Sequence, residues 1–467
     1  MADMDVVIIG GGVGGYVAAL KGAQLGLKIA LIEKDKIGGI CLNHGCIPTK
    51  SLASSAQIWE HFKNAKQFGL FAENISFDFA RIIERKDKIV NRLTMGVKYL
   101  LKARAVQLIE GEAEILSPKQ VVVYQRNNDK EVFKTKNIII ATGSTVRQIN
   151  IEGLEIKNII DTNEVLTLKN LPKKMLIIGA GYSGVEFASI FNSFGVEVSV
   201  VDLLKRILLP VDDEIANSLL GILKKQGIKF FLNSKLEKIV SKSDGLLVNI
   251  KSKEEEKKEI IVEKVLLSTG RVPDFGGLNI QGLGIELENE GIKVDEYMRT
   301  GIPGIYAVGD VVAKKMLAHV ATAQGQVAVQ HIAGIKNSKP MSYQVVPFCV
   351  FTNPEVASVG YNEGEAREEF SEIKIFRFPY QANGKALGMD EKEGYVKMIA
   401  NAKDNQVVGV HIIGAHASDL IAEATLAIQQ KCTASDIAET IHAHPTLPET
   451  IAETAEGILG QPIHVLK

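Results

Sequence analysis

The feature that most constrains this chain is an ungapped internal echo. Residues 8–33 read IIGGGVGGYVAALKGAQLGLKIALIE, and residues 177–202 read IIGAGYSGVEFASIFNSFGVEVSVVD. In each copy a short apolar run meets a glycine-rich turn. An amphipathic stretch follows, a Leu-Gly or Phe-Gly pair ends it, and a second apolar run closes on an acid. This is one β-α-β unit used twice.

Each unit carries a dinucleotide fingerprint. The first is Gly10-x-Gly12-x-x-Gly15, after a strand over 5–9, with Glu33 ending the next strand. The second is Gly179-x-Gly181-x-x-Gly184, with Asp202 as the acid. The first glycine permits the tight turn, the second lets a pyrophosphate approach the backbone, and the third lets helix and strand pack closely. The phosphates then meet free N–H groups at a helix N-terminus. A lone motif of this kind is weak evidence, since it is often just a glycine-rich turn. Two copies with strand, helix and acid at the same offset predict two nucleotide sites. Glu33 and Asp202 are placed to accept from an adenosine ribose. A carboxylate repels a 2′-phosphate, so the second site should prefer NAD over NADP, with Lys205 and Arg206 near enough to soften the preference.

At 467 residues the chain exceeds one hydrophobic core, and two to four domains are expected. Its net charge of −1, with both signs interspersed, suggests neither a nucleic-acid nor a membrane partner. No apolar run approaches a membrane span. The first, Val6–Ile9, stops at glycine and follows Asp3 and Asp5, unlike a signal or transit peptide. A cytoplasmic protein is the plain reading, and an organelle protein already trimmed would look the same. Further apolar runs end in glycine turns: IIIATGS (138–144), LLSTGR (266–271) and GIYAVGD (304–310). Residues 226–262 alternate and include the charged run KSKEEEKKE, read as a solvated hairpin tip. From about Pro347 the pattern becomes antiparallel strands such as GYVKMIA and VVGVHIIG, then helices near 418–430 and 434–440. A third domain of a different kind is expected there.

The four cysteines, Cys41, Cys46, Cys349 and Cys432, are too few for a secreted disulfide framework. Cys41 and Cys46 follow the first β-α-β unit, and Pro48 suits the first turn of a helix continuing over 49–62. Cys46 then sits near a helix N-terminus, whose dipole lowers a thiol pKa, and Lys50 adds charge one turn on. The spacing also allows a zinc half-site with His44, but structural zinc needs four ligands and no matching second half-site exists. Two inert buried thiols are the bland alternative. Cys349 and Cys432 lie in apolar settings and read as core. Near the C-terminus, His442-Ala-His444-Pro445-Thr-Leu-Pro448-Glu449 opposes a regular helix and predicts a loop. There Glu449 could orient one nitrogen of His444 and leave the other as a base, although a loop histidine alone is more often structural.

Together these segments resemble the pyridine-nucleotide:disulfide oxidoreductase family along nearly the whole chain. GGICLNHGCIPTK (38–50) is similar to its redox-disulfide signature, GIYAVGD to its second FAD motif, and HPTLPET (444–450) to its C-terminal catalytic loop. Among subfamilies, MLAH (316–319), CLNHGC and HAHPTL look like dihydrolipoamide dehydrogenase. The resemblance implies an α/β fold with two Rossmann-like dinucleotide-binding domains and a C-terminal α+β dimerisation domain. FAD would bind 1–147 and 275–346, NAD would bind 148–274, and 347–467 would form the interface.

Cys41 would be the interchange thiol, and Cys46 would contact the flavin. His444, held by Glu449, would be the acid/base arriving from the other subunit of a homodimer. Lys50 would lie near flavin N5, paired with Glu186. FAD would also contact Ala113, Thr142, Gly143, Ser144, Asp310, Met316, Leu317, Ala318 and His319. NAD would be held by Gly179–Glu186 and Asp202, with Gly270 and Leu236 near it. No metal is implied. The implied reaction reoxidises protein-bound dihydrolipoamide with NAD⁺ through a Cys41–Cys46 disulfide. The lipoyl arm would come from a partner in a 2-oxo-acid dehydrogenase or glycine-cleavage complex. Three residues depart from the family pattern: His44, Pro448 and Asp274. The rivals are a glutathione-type or mercuric reductase and a non-catalytic flavoprotein scaffold.

Overall fold

Val6, Val7, Ile8 and Ile9 are all buried, as a central parallel strand covered on both faces requires. In the computed structural model, which describes residues 2–126 and 129–466, they belong to the strand Ala2–Ile9. Its sheet runs in the order Gln107–Glu110, Ile29–Glu33, Ala2–Ile9, Lys130–Ile140, Gln120–Tyr124, Glu112–Ser117. The strand Ile305–Ala307, far along the chain, completes it by pairing parallel with Lys130–Ile140. The helix Val13–Gln24 crosses between the first two strands in sequence.

The second unit repeats this plan. Lys174–Ile178, the helix Tyr182–Ser193 and Glu197–Val201 form its β-α-β core. Its sheet is parallel throughout, ordered Lys229–Phe231, Glu197–Val201, Lys174–Ile178, Lys264–Leu267, Ile159–Asp161. The alternating stretch after residue 226 becomes a meander of Ser234–Lys242, Gly245–Ser252 and Lys257–Val262, and the charged run forms its exposed turn.

From Phe348 the chain builds an antiparallel sheet ordered Phe348–Val350, Glu355–Gly360, Val407–Gly414, Tyr395–Asn401, Ile373–Pro379. The helices expected near 418–430 and 434–440 are Ala417–Gln429 and Ala434–Ala438. This part has its own apolar core, into which Cys349 and Cys432 pack. A buried charge cluster joins it to the second nucleotide unit. Lys397, 1% exposed, donates to Asp212 (2.9 Å) and Glu363 (2.8 Å) and pairs with Glu214 (3.0 Å). No helix among the described residues is long and apolar enough to cross a membrane.

Candidate active site

The two glycine loops are built alike. Gly10 N–H donates to Ile32 O and Gly179 N–H to Val201 O, both at 2.8 Å. Gly10 has φ +106° and Gly179 φ +109°, values L side chains rarely adopt, and a Cβ on either would strike the carbonyl of Ala141 or Ser268. A Cβ on Gly15 or Gly184 would strike the carbonyl of Gly10 or Gly179, so the third glycine of each motif sets the helix–strand approach. The paired acids are also equivalent. Glu33 accepts from Gly11 N–H (2.6 Å) and Asp35 N–H (2.7 Å), and Asp202 from Ala180 N–H (2.6 Å) and Leu204 N–H (2.8 Å). Each carboxylate has about four acceptor sites, so capacity remains for a ribose. Arg206 is engaged elsewhere: it pairs with Asp213 and donates to Val211 O (3.1 Å), which weakens the softening expected of it.

The redox segment leans on the first loop. A Cβ on Gly39 would come 2.6 Å from Gly12 Cα, so backbone meets backbone there. The short helix Gly39–His44 carries Cys41, Gly45 interrupts, and Cys46 opens the helix Cys46–Asn64 with Pro48 in its first turn. Cys41 and Cys46 are free thiols in the structure, near enough for one to act as hydrogen-bond donor to the other. The two thiols are unlike. The bond from Cys41 brings the Cys46 thiol down to about 7, against burial, with help from Lys50. The same bond and burial push the Cys41 thiol up. These surroundings favour a thiolate at Cys46 over one at Cys41.

Lys50 donates to both oxygens of buried Glu186, at 3.0 and 2.9 Å. Glu186 also accepts from Phe351 N–H (2.9 Å), and the Phe351 ring lies under the Lys50 ammonium, 4.3 Å to centroid. Ser144 Oγ donates to Asp310 (2.5 Å) and accepts from Arg271 Nε (2.7 Å). Sequence reasoning assigned no role to Phe351 or Arg271. Arg271 could have been singled out as the residue ending LLSTGR, whereas Phe351 stands in no motif.

These groups share one cavity of about 1020 Å³. Its wall includes Gly10, Gly12, Glu33, Cys41, Cys46, Lys50, Thr142, Gly143, Ser144, Asp310, Met316 and Ala318 on one side. Gly179, Gly181, Glu186, Asp202, Leu236 and Gly270 continue it. Ala113 lines a small adjoining pocket that shares Gly10, Glu33 and Thr142. Leu317 and His319 lie off these walls, and His319 Nε2 instead bonds Pro347 O (2.9 Å). The cavity suits a flavin dinucleotide on a physical ground: Thr142 Oγ1 is buried without a protein partner, and the glycine loops beside it leave the space that side chains would fill.

His444 lies outside this cavity. It is exposed, and its Nδ1 bonds Glu449 (2.8 Å), leaving Nε2 free of any such bond. Burial pushes the Glu449 carboxyl up, but Thr446 N–H (2.7 Å) and His444 together hold it below its usual range. Pro448 stands just before the helix Glu449–Ile458. Next to the dyad lies a second one, not assigned from sequence: His442 Nε2 to Glu423, 2.9 Å. Of the other departures, Asp274 pairs with Lys34 (3.0 Å), and His44 lines the cavity with its pKa lowered by burial, then by Lys36.

A nucleotide loop beside a thiol pair, with a second nucleotide loop across one cavity, defines a dinucleotide-dependent dithiol–disulfide enzyme. Residues 4–325 match the family model described as pyridine nucleotide-disulphide oxidoreductase, and residues 346–455 match its dimerisation domain. The chain belongs to this family. It is 40% identical over 468 residues to a dihydrolipoyl dehydrogenase of Bacillus subtilis, covering 100% of this chain and 98% of the relative. It is also 40% identical to a mitochondrial dihydrolipoyl dehydrogenase of Pisum sativum, over 99% and 93% of the two chains. Among solved structures, LpdA from Mycobacterium tuberculosis superposes with a TM-score of 0.89 at 26% identity, over 98% of this chain and 100% of that one. The HOCl-induced flavoprotein disulfide reductase RclA from Escherichia coli gives 0.86 at 28%, over 97% and 99%.

Proposed function

We propose that this protein is a homodimeric dihydrolipoyl dehydrogenase, which reoxidises dihydrolipoamide with NAD⁺ through Cys41, Cys46 and FAD. The observation that carries the reading is the asymmetric thiol pair at a helix N-terminus, facing a cavity lined by both nucleotide loops. Gly10, Gly12, Glu33, Thr142, Ser144 and Asp310 would hold FAD, and Gly179, Gly181, Asp202 and Gly270 would hold NAD. When bound, FAD supplies the two-electron chemistry linking the thiols to the nicotinamide.

The protein's part is proton and thiol chemistry. His444 Nε2 takes a proton from a substrate thiol, and the thiolate attacks Cys41 of the oxidised pair. The Cys41–Cys46 bond breaks, and the electron pair stays on Cys46, where the helix N-terminus and Lys50 stabilise a thiolate. The second substrate thiol then attacks the mixed disulfide. The substrate leaves as a cyclic disulfide, Cys41 keeps one proton and His444 holds the other. Because His444 is exposed and off the cavity wall of its own chain, this base would come from the second copy.

The natural donor would be a lipoyl-bearing protein of a 2-oxo-acid dehydrogenase or glycine-cleavage complex. A cytoplasmic location belongs to the same reading, and fractionation of source cells tests it. For the activity, turnover with free dihydrolipoamide and NAD⁺ should far exceed turnover with glutathione disulfide and NADPH. The opposite ranking would overturn the assignment.

A further inference from the structure

Lys50 lies one helical turn from Cys46, where its charge reaches the thiol. A four-carbon stem does not fix that charge by itself, because a lysine side chain has many rotamers. Two groups hold it. Glu186, on the helix Tyr182–Ser193, accepts from the ammonium through both oxygens. Phe351, just beyond the strand Phe348–Val350, presents its ring face to the ammonium at 4.3 Å and its amide to Glu186 at 2.9 Å. The charge beside the redox thiol is thus held between a residue of the second nucleotide unit and one of the C-terminal domain. An aromatic face attracts an ammonium, and more strongly where water is thinned. The Lys50 side chain is only 31% exposed.

We propose that Phe351 is a positioning residue for the redox pair, fixing the Lys50 ammonium so that Cys46 is held as the thiolate. Docking of the C-terminal domain thereby sets the electrostatics of a thiol in another part of the chain. The inference rests on Cys46 being the thiolate, and it holds whichever dithiol the enzyme takes.

The test is site-specific alkylation of Cys46 by iodoacetamide across pH, in FAD-loaded enzyme carrying Cys41→Ser, read by mass spectrometry of the Cys46 peptide. Phe351→Leu keeps apolar bulk and the backbone amide but removes the aromatic face. It should shift the Cys46 profile upward by about half a pH unit, the scale of a partly screened cation–π contact. Phe351→Tyr should restore the parent profile. In a Lys50→Met background, Phe351→Leu should add nothing. A Phe351→Leu profile superimposed on the parent's would overturn the proposal. So would an undiminished shift in the Lys50→Met background, which would mark a merely structural role. No dithiol substrate enters the assay, so an error in substrate assignment cannot produce either outcome.

Discussion

At the scale of single residues, chemistry is divided by small differences in surroundings. Cys41 and Cys46 differ first through the hydrogen bond between them, which lowers one thiol and raises the other, and Cys46 also opens a long helix with Lys50 one turn on. Its thiolate exists above about pH 7 and is lost as pH falls through that value. His444 is defined by what holds it, the Glu449 carboxylate at Nδ1. His444→Gln should cut dithiol turnover by a factor on the order of 10²–10⁴ while flavin content stays normal. Steady-state rates beside the visible spectrum of the bound flavin check this, and near-wild-type turnover would remove His444 from the mechanism. Both residues were legible in the sequence because each sits in a short motif. Phe351 was not, since its partners Lys50 and Glu186 lie far away along the chain, Glu186 by 165 positions, and no local pattern announces a ring beneath an ammonium.

At the scale of elements, the repeated β-α-β unit was legible almost completely, whereas the hydrogen bond that each closing acid accepts from its own glycine loop was not read from the sequence. Periodicity and punctuation are local, and so is this architecture. Gly184 tests it. A methyl group there would meet Gly179 O and push the helix Tyr182–Ser193 off its strand. Gly184→Ala should therefore raise the KM for NAD⁺ by at least about tenfold, a cost of roughly 1.4 kcal/mol, while FAD remains bound. Equal loss of both ligands would instead indicate general unfolding. What local pattern alone could not show was the closing strand Ile305–Ala307, which joins the first sheet only after the whole second unit has been traversed; only the resemblance of GIYAVGD to a second FAD motif placed it there. A three-residue apolar run carries no information about its partner.

At the scale of the whole molecule, burial of charge ties the parts together. Lys397 lies between three carboxylates from two regions. Replacing it with Met would leave buried Asp212 without its ammonium, while Glu214 keeps Arg377 and Glu363 keeps Arg367. The expected cost is about 3–5 kcal/mol, seen as a lower calorimetric transition; an unchanged transition would show the cluster to be energetically idle. Burial raises Asp212, but His411 and Lys397 outweigh it and hold the carboxyl below its usual range. Its stabilising share is therefore present above the ordinary carboxylate range and lost as pH falls through its depressed value. Burial likewise lowers Lys397, but Glu363 and Asp212 raise it overall, so its share is lost only as pH climbs past the ordinary lysine range. Neither loss falls near neutrality.

In the proposed reaction every electron passes through one cysteine pair. The direct measurement is a count of free thiols in the FAD-loaded, air-oxidised protein before and after one equivalent of NADH under anaerobic conditions, with labelled positions mapped. Two new thiols, at Cys41 and Cys46, are expected. No new thiols, or new thiols at Cys349 and Cys432, would contradict the mechanism at its centre.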